Sequence, residues 1–182
     1  WVAPDFLESL YGALQRNHAD IAVCNMLEAR EDAEPVIMYQ PAENEMAIDG
    51  AAIFETLYQP CAQNKLYCAS IFRTLRYPVG RWYEDVFVYT DVLAQVKRLA
   101  YTGKASYFYF IREGSIMHSE YRLQSTDIID ACDLRAQKLD DLGQPNHANL
   151  ARLHVYSQLA VAYAKLDRKL PENAARLKQL QA

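Results

Sequence analysis

Strand-length apolar runs lie in the first two-thirds of this chain, whereas from Ser125 onward the periodicity is purely helical. Any sheet must therefore be assembled from roughly the first 120 residues, between helices that occur in the same stretch. The pattern predicts an α/β architecture (an α+β arrangement in this segment) over residues 1–120, followed by an all-helical tail over 121–182. No internal repeat, low-complexity tract or Gly/Ser linker separates the two.

Within the first part, Pro4 suits a first helical position, Asp5 suits the positive end of a helix dipole, and Leu7, Leu10, Tyr11 and Leu14 recur at helical spacing over residues 4–16. DIAVCNMLEA, 20–29, reads as a buried strand, and EPVIMYQP, 34–41, as a second that pairs with it in a hairpin. Asp49 begins a short helix carrying Ile53, Phe54 and Leu57, which Pro60 stops. NKLYCASIFRTL, 64–75, is an extended entry into another short helix. After Pro78 and Gly80 comes a helix with Val86, Tyr89, Val92, Leu93 and Val96 on one face, and ASYFYFIRE, 105–113, is a central strand. In the tail, a helix through Ile128, Ile129, Cys132, Ala136 and Leu139 ends at Gly143. A second opens near Pro145 and carries Leu150, Leu153, Val161 and Ala164, and a short one follows Pro171.

A net charge of −4, with 19 basic residues and no block of like charge, excludes the electrostatic footprint of a nucleic-acid binder. The four cysteines form no C-x-x-C pair and sit among small or apolar neighbours, which reads as reduced thiols in a cytoplasmic protein. No signal peptide or membrane-spanning run is present. Basic residues in the tail are interleaved with acids, which leaves only a weak case for peripheral contact at the inner face of a membrane. The chain begins at Trp1 without a methionine and is expected to be a fragment.

Chemistry concentrates around GRWYEDVFVYTDVL, 80–93, where Glu84 and Asp85 open an apolar helix. Acids in a first turn stabilise unpaired N–H groups and the helix dipole. A carboxylate held ionised there, among aromatic residues, is equally suited to act as a general base. Local sequence leaves both open, as it does for Trp82 and Tyr83, which either stack on a sugar ring or fill the core below the helix. His18, His147 and His154 have no partners at metal-ligand spacing.

Five ordered stretches decide more: WVAPDFLESLYGAL, ADIAVCN, NKLYCASIF, LRYPVGRWYEDVFVYTDVL and KRLAYTGKASYFYFIREGSI. Together, over residues 1 to about 120, they resemble the C-terminal half of the inverting glycosyltransferases of family 2, which have the GT-A fold. The resemblance implies that Asp85 is the general base that deprotonates an acceptor hydroxyl, and that Glu84 beside it lies near the acceptor or orients the site. It also implies that Asn64 and Lys65 belong to an Asn-Lys-Leu-Tyr motif, where Lys65 pairs with a phosphate or with an acid of the site. Ignoring the resemblance, Lys65 is an exposed lysine at a strand edge. Arg112 and Ser115 match an Arg-x-Gly-Ser motif beside the nucleotide diphosphate, which suits a forked guanidinium. His118 follows it and is a weak metal-ligand candidate.

The resemblance further implies a nucleotide-sugar donor, a saccharide or lipid-linked acceptor, and a role in bacterial cell-surface polysaccharide synthesis. Its Asp-x-Asp-like motif, which holds Mg²⁺ or Mn²⁺ on the diphosphate, is expected upstream of Trp1. The isolated chain is then expected to bind no metal, to be inactive, and to self-associate through uncovered strand edges. The alternative reading is a non-catalytic interaction domain. A hydrolase using Asp85 with a histidine is disfavoured, because the sequence has no serine or cysteine nucleophile motif.

Overall fold

The computed structural model of the chain describes residues 1–112 and 120–180. They fall into two compact units. One takes residues 1–75 and the described residues from 95 to 112; the other takes 76–94 and 120–180. The helix that carries Glu84 and Asp85 thus groups with the helical tail and not with the sheet.

The first unit is a helix on a five-stranded mixed sheet. Helix α1 spans Phe6–Arg16, and the strands are β1 (Ile21–Arg30), β2 (Ala33–Tyr39), β3 (Met46–Asp49), β4 (Lys65–Tyr67) and β5 (Arg98–Phe110). β1 and β5 run parallel, from Ile21 opposite Leu99 to Ala29 opposite Phe110. The far edge of β1 is shared: β4 pairs antiparallel with residues 21–23, and β2 returns as the expected hairpin along Met26–Arg30. β3 covers the start of β5, while Trp1 and Ala3 bond to Phe108 and Ser106 further along it. Trp1 stacks on Phe108 with ring centroids 5.1 Å apart.

The core under α1 is built from Leu10, Ala13 and Leu14 against Ala19, Ala22, Cys24 and Ala100. Alanines on the adjacent strands let the helix approach the sheet closely. Only Leu10 and Leu14 of the four expected apolar positions are buried; Leu7 and Tyr11 are exposed. Pro4 precedes the helix instead of opening it, and Asp5 pairs with Lys104 at 3.1 Å without capping α1.

β5 is longer than its aromatic stretch and runs through Gly103, where the sequence carries no strand signal. Gly103 has φ +70°, and a Cβ there would lie 2.5 Å from the Asn44 carbonyl carbon. β3 was also not expected from the sequence. The segment after Asp49 is helical as expected, but as a 3-10 helix over Gly50–Tyr58; a second 3-10 turn, Ala69–Arg73, follows β4.

The second unit is helical: α2 (Glu84–Leu93), a 3-10 turn at Leu123–Thr126, α3 (Asp127–Asp141), α4 (Pro145–Lys165) and α5 (Pro171–Gln179). Pro145 and Pro171 stand in the first turns of their helices, and Gly143, at φ +68°, ends α3. Val86, Ile128, Ile129, Cys132, Ala162, Leu166 and Leu177 form the core. Val96 lies beyond the end of α2.

The buried face of α4 differs from expectation. Ala148, Ala151 and Ala162 are buried, with Val155 and Leu159 packed partly against the core, whereas Leu150 and Leu153 are exposed. Both sets recur at helical spacing, so periodicity alone could not say which faces inward. Among the described residues no helix is long and apolar enough to cross a membrane. All four cysteines are free thiols.

Candidate active site

The start of α2 is built by an unusual backbone turn. Tyr83, the residue before the helix, has φ +59° and ψ 36°, a left-handed conformation that costs an L-residue other than glycine roughly 1–2 kcal/mol. Its carbonyl accepts the amides of Val86 (2.9 Å) and Phe87 (3.3 Å). Its partly buried ring packs against the core around Val86 and Ile128. Burial raises the Tyr83 phenol pKa, and the nearby Asp127 charge adds to that.

Past this turn, Glu84 is exposed and Asp85 half-buried. Asp85 Oδ1 accepts the amide of Val86 at 2.7 Å, so the carboxylate does satisfy a first-turn donor. Nothing in that contact prevents the carboxylate from also accepting a proton, since its oxygens carry further lone pairs. Tyr77 lies close enough that the Asp85 and Glu84 charges raise its phenol pKa, after burial, which is the larger cause.

Asn64 and Lys65, expected to touch a ligand, instead point inward. Asn64 is fully buried, with Nδ2 donating to the Cys24 carbonyl at 2.8 Å. Lys65 is also buried, contrary to an exposed strand-edge position. Its ammonium donates to the carbonyls of Gln59 (2.9 Å) and Cys61 (2.5 Å) and to Asn64 Oδ1 (3.0 Å). The pair thus ties down the loop before β4.

Arg112 follows β5 and is exposed. Ser115 and His118 lie outside the described residues. Among the described residues no group of three His, Cys, Asp or Glu side chains is placed to hold a metal ion.

The sequence reading missed the charged cluster in front of α2. Arg81 pairs with Asp130 and, at 3.4 Å, with Asp127; Arg176 bonds Asp130 at 2.6 Å and Thr126 Oγ1 at 3.0 Å. Arg81 also lies 5.1 Å over the Phe87 ring. The cluster borders a cleft of about 550 Å³ lined by Gly80, Arg81, Gln124, Asp127 and Arg176 among others. The available signal was Asp127 and Asp130, spaced i, i+3 at the head of a helix, with an unexplained arginine in the RWYED stretch.

No protein-family model matches the chain. Over 170 residues, 87% of its length, it is 29% identical to glycosyltransferase GlyA of Streptococcus pneumoniae serotype 4. The chain is related to glycosyltransferases. It spans about a quarter (24%) of GlyA. Its fold matches that of S. aureus TarS in complex with UDP-GlcNAc, with a TM-score of 0.64 at 17% identity, over 99% of this chain and 52% of that one. The TarS complex with UDP matches at a TM-score of 0.59 and 14% identity, over 93% and 46% of the two chains. The mixed α/β fold expected from the sequence is thus that of part of TarS.

Proposed function

We propose that this chain forms the acceptor-side, base-bearing part of an inverting nucleotide-sugar glycosyltransferase of GT-A type. The observation that carries the reading is the Glu84–Asp85 pair. It is held at the first turn of α2 behind a left-handed Tyr83, in a chain homologous to GlyA over most of its length. TarS structures contain UDP-GlcNAc and UDP, which supports a nucleotide-sugar donor.

In this reading Asp85 takes the proton from an acceptor hydroxyl as that oxygen attacks the anomeric carbon. The bond from that carbon to the diphosphate oxygen breaks on the opposite face, and the nucleotide leaves with the electron pair. A base is needed because a sugar hydroxyl is a weak nucleophile at neutral pH. Arg112 is exposed and its guanidinium suits the charge growing on the departing diphosphate, with Ser115 beside it in sequence. Two adjacent carboxylates do not suit a glycosidase, whose acids face each other across a bond. The acceptor is a saccharide or a lipid-linked saccharide of bacterial cell-surface polysaccharide synthesis.

Because the chain spans about half of TarS, donor and divalent-cation binding are assigned to residues of a longer protein, and residues 1–182 alone are inactive in this reading. The test is Asp85→Asn in that longer protein. Transfer should fall by about 10²- to 10⁴-fold with the fold intact, the range for loss of a general base. A fully active variant would leave the second reading, an interaction domain. The exposed Leu150, Leu153 and Tyr156 on α4 favour that alternative.

A further inference from the structure

The backbone just before α2 is held by a side chain from another helix. Asp127, the first residue of α3, is largely buried and accepts the Trp82 amide on Oδ2 at 2.9 Å, while its Oδ1 lies 3.4 Å from the Arg81 guanidinium. Arg81 in turn bonds Asp130, one turn further along α3, and Asp130 is held by Arg176 of α5. Two aspartates and two arginines thus fix residues 81 and 82, and the left-handed Tyr83 comes next. The direction in which Asp85 leaves the helix start is set by that turn.

A left-handed tyrosine is not a conformation the chain adopts unaided; it persists where its surroundings over-determine it. Here the surroundings are the Tyr83 ring in the core on one side and the clamped Trp82 amide on the other. The Trp82 amide lies outside the helix ladder, so without Asp127 it would need another acceptor.

We propose that Asp127 is a positioning residue for the catalytic carboxylate. By accepting the Trp82 amide it locks the turn at Tyr83 and so aims Asp85 at the acceptor hydroxyl. The inference rests on Asp85 being the base, and it assigns a catalytic consequence to the helical segment beyond residue 120. Its chemistry separates two roles of one carboxylate. The amide bond needs only an oxygen acceptor, which asparagine also offers, whereas the pairing with Arg81 needs the charge.

Steady-state kinetics on the longer protein that contains this segment, with hydrogen exchange at the Trp82 amide, test it. Asp127→Ala should lower kcat by about 10- to 100-fold, the scale of a small misplacement of a catalytic group, with donor KM within about twofold. The Trp82 amide should lose protection. Asp127→Asn should keep kcat within about threefold and retain that protection. If the alanine variant does not fold, Asp127→Thr, whose hydroxyl reaches less far, should show the same kcat-against-KM split at smaller size. Full kcat in the alanine or threonine variant overturns the proposal. So does equal loss in Asp127→Asn and Asp127→Ala, which would make the charge the operative feature, or an unchanged Trp82 exchange rate. Asp85→Asn is run alongside: if it is fully active, the base assignment fails, while the exchange measurement still decides whether Asp127 holds the turn.

Discussion

Asn64 with Lys65 in the sheet unit and Arg81 through Asp85 in the helical unit both lie in stretches that carry the glycosyltransferase resemblance, yet they use their polar groups in opposite directions. The first pair is buried and bonds inward, to the carbonyls of Cys24, Gln59 and Cys61. The second keeps Glu84 exposed and Asp85 half-buried, behind a left-handed tyrosine that follows the ion-paired Arg81. A recurring motif therefore need not mean a ligand contact. Backbone carbonyls in a buried loop need donors as much as a diphosphate does.

That difference is broken most sharply by paired substitutions. Asp85→Asn should remove activity by orders of magnitude and cost activity far more than stability, since an amide oxygen still accepts the Val86 N–H. Asn64→Leu and Lys65→Met should do the reverse. Each strands buried carbonyls at a cost of roughly 1–3 kcal/mol per lost partner, and the lysine has three oxygen acceptors at hydrogen-bond distance. Thermal unfolding should show lower midpoints for both, with residual activity tracking the folded fraction. A stable Lys65→Met protein with raised donor KM would instead move Lys65 into the binding site.

How much of this was legible beforehand follows from what each signal measures. β1, its hairpin with β2, β4 and the tail helices were readable because their apolar periods and their Gly and Pro stops are local. β3 was not, since MAID has no strand signature of its own and pairs only because β5 offers it an edge. The extra length of β5 was hidden by Gly103. The inward face of α4 was misjudged because alanines, not leucines, meet α3, and small residues give a weak hydropathy signal. At the site, Glu84 and Asp85 stood out as acids in an apolar setting. Asp127 did not, because its role depends on an amide 45 residues away in sequence.

A smaller effect separates two of the left-handed positions, Gly103 and Tyr83. Gly103 has a backbone that only glycine adopts without cost, and a Cβ would also meet the Asn44 backbone at 2.5 Å. Gly103→Ala should destabilise by more than the roughly 1–2 kcal/mol of the backbone term alone, because the neighbour is main chain and cannot swing away. Tyr83 already bears that backbone cost, offset by ring packing. Tyr83→Gly therefore exchanges relieved strain for lost contacts, and should shift the unfolding midpoint less than Tyr83→Val, which loses ring contacts and keeps the strain.

The smallest test uses a thiol at the inward-facing corner. Cys24 is fully buried, and burial pushes its pKa up to about 11, well above the ordinary thiol range. A raised folded pKa means the unfolded chain releases this proton first. The stabilising contribution is thus complete below the unfolded pKa and is lost as pH rises toward the folded value. Between pH 9 and 10 the slope should remove roughly 1 kcal/mol, about one proton's worth of linkage less the partial ionisation at either end. Cys24→Ala isolates the effect from other groups that titrate in alkali: denaturant midpoints across that range should fall less steeply in the variant than in the parent. Equal slopes would mean that the corner admits water to the thiol. The buried Asn64 corner and the half-buried Asp85 at the start of α2 would then no longer differ in their electrostatic setting.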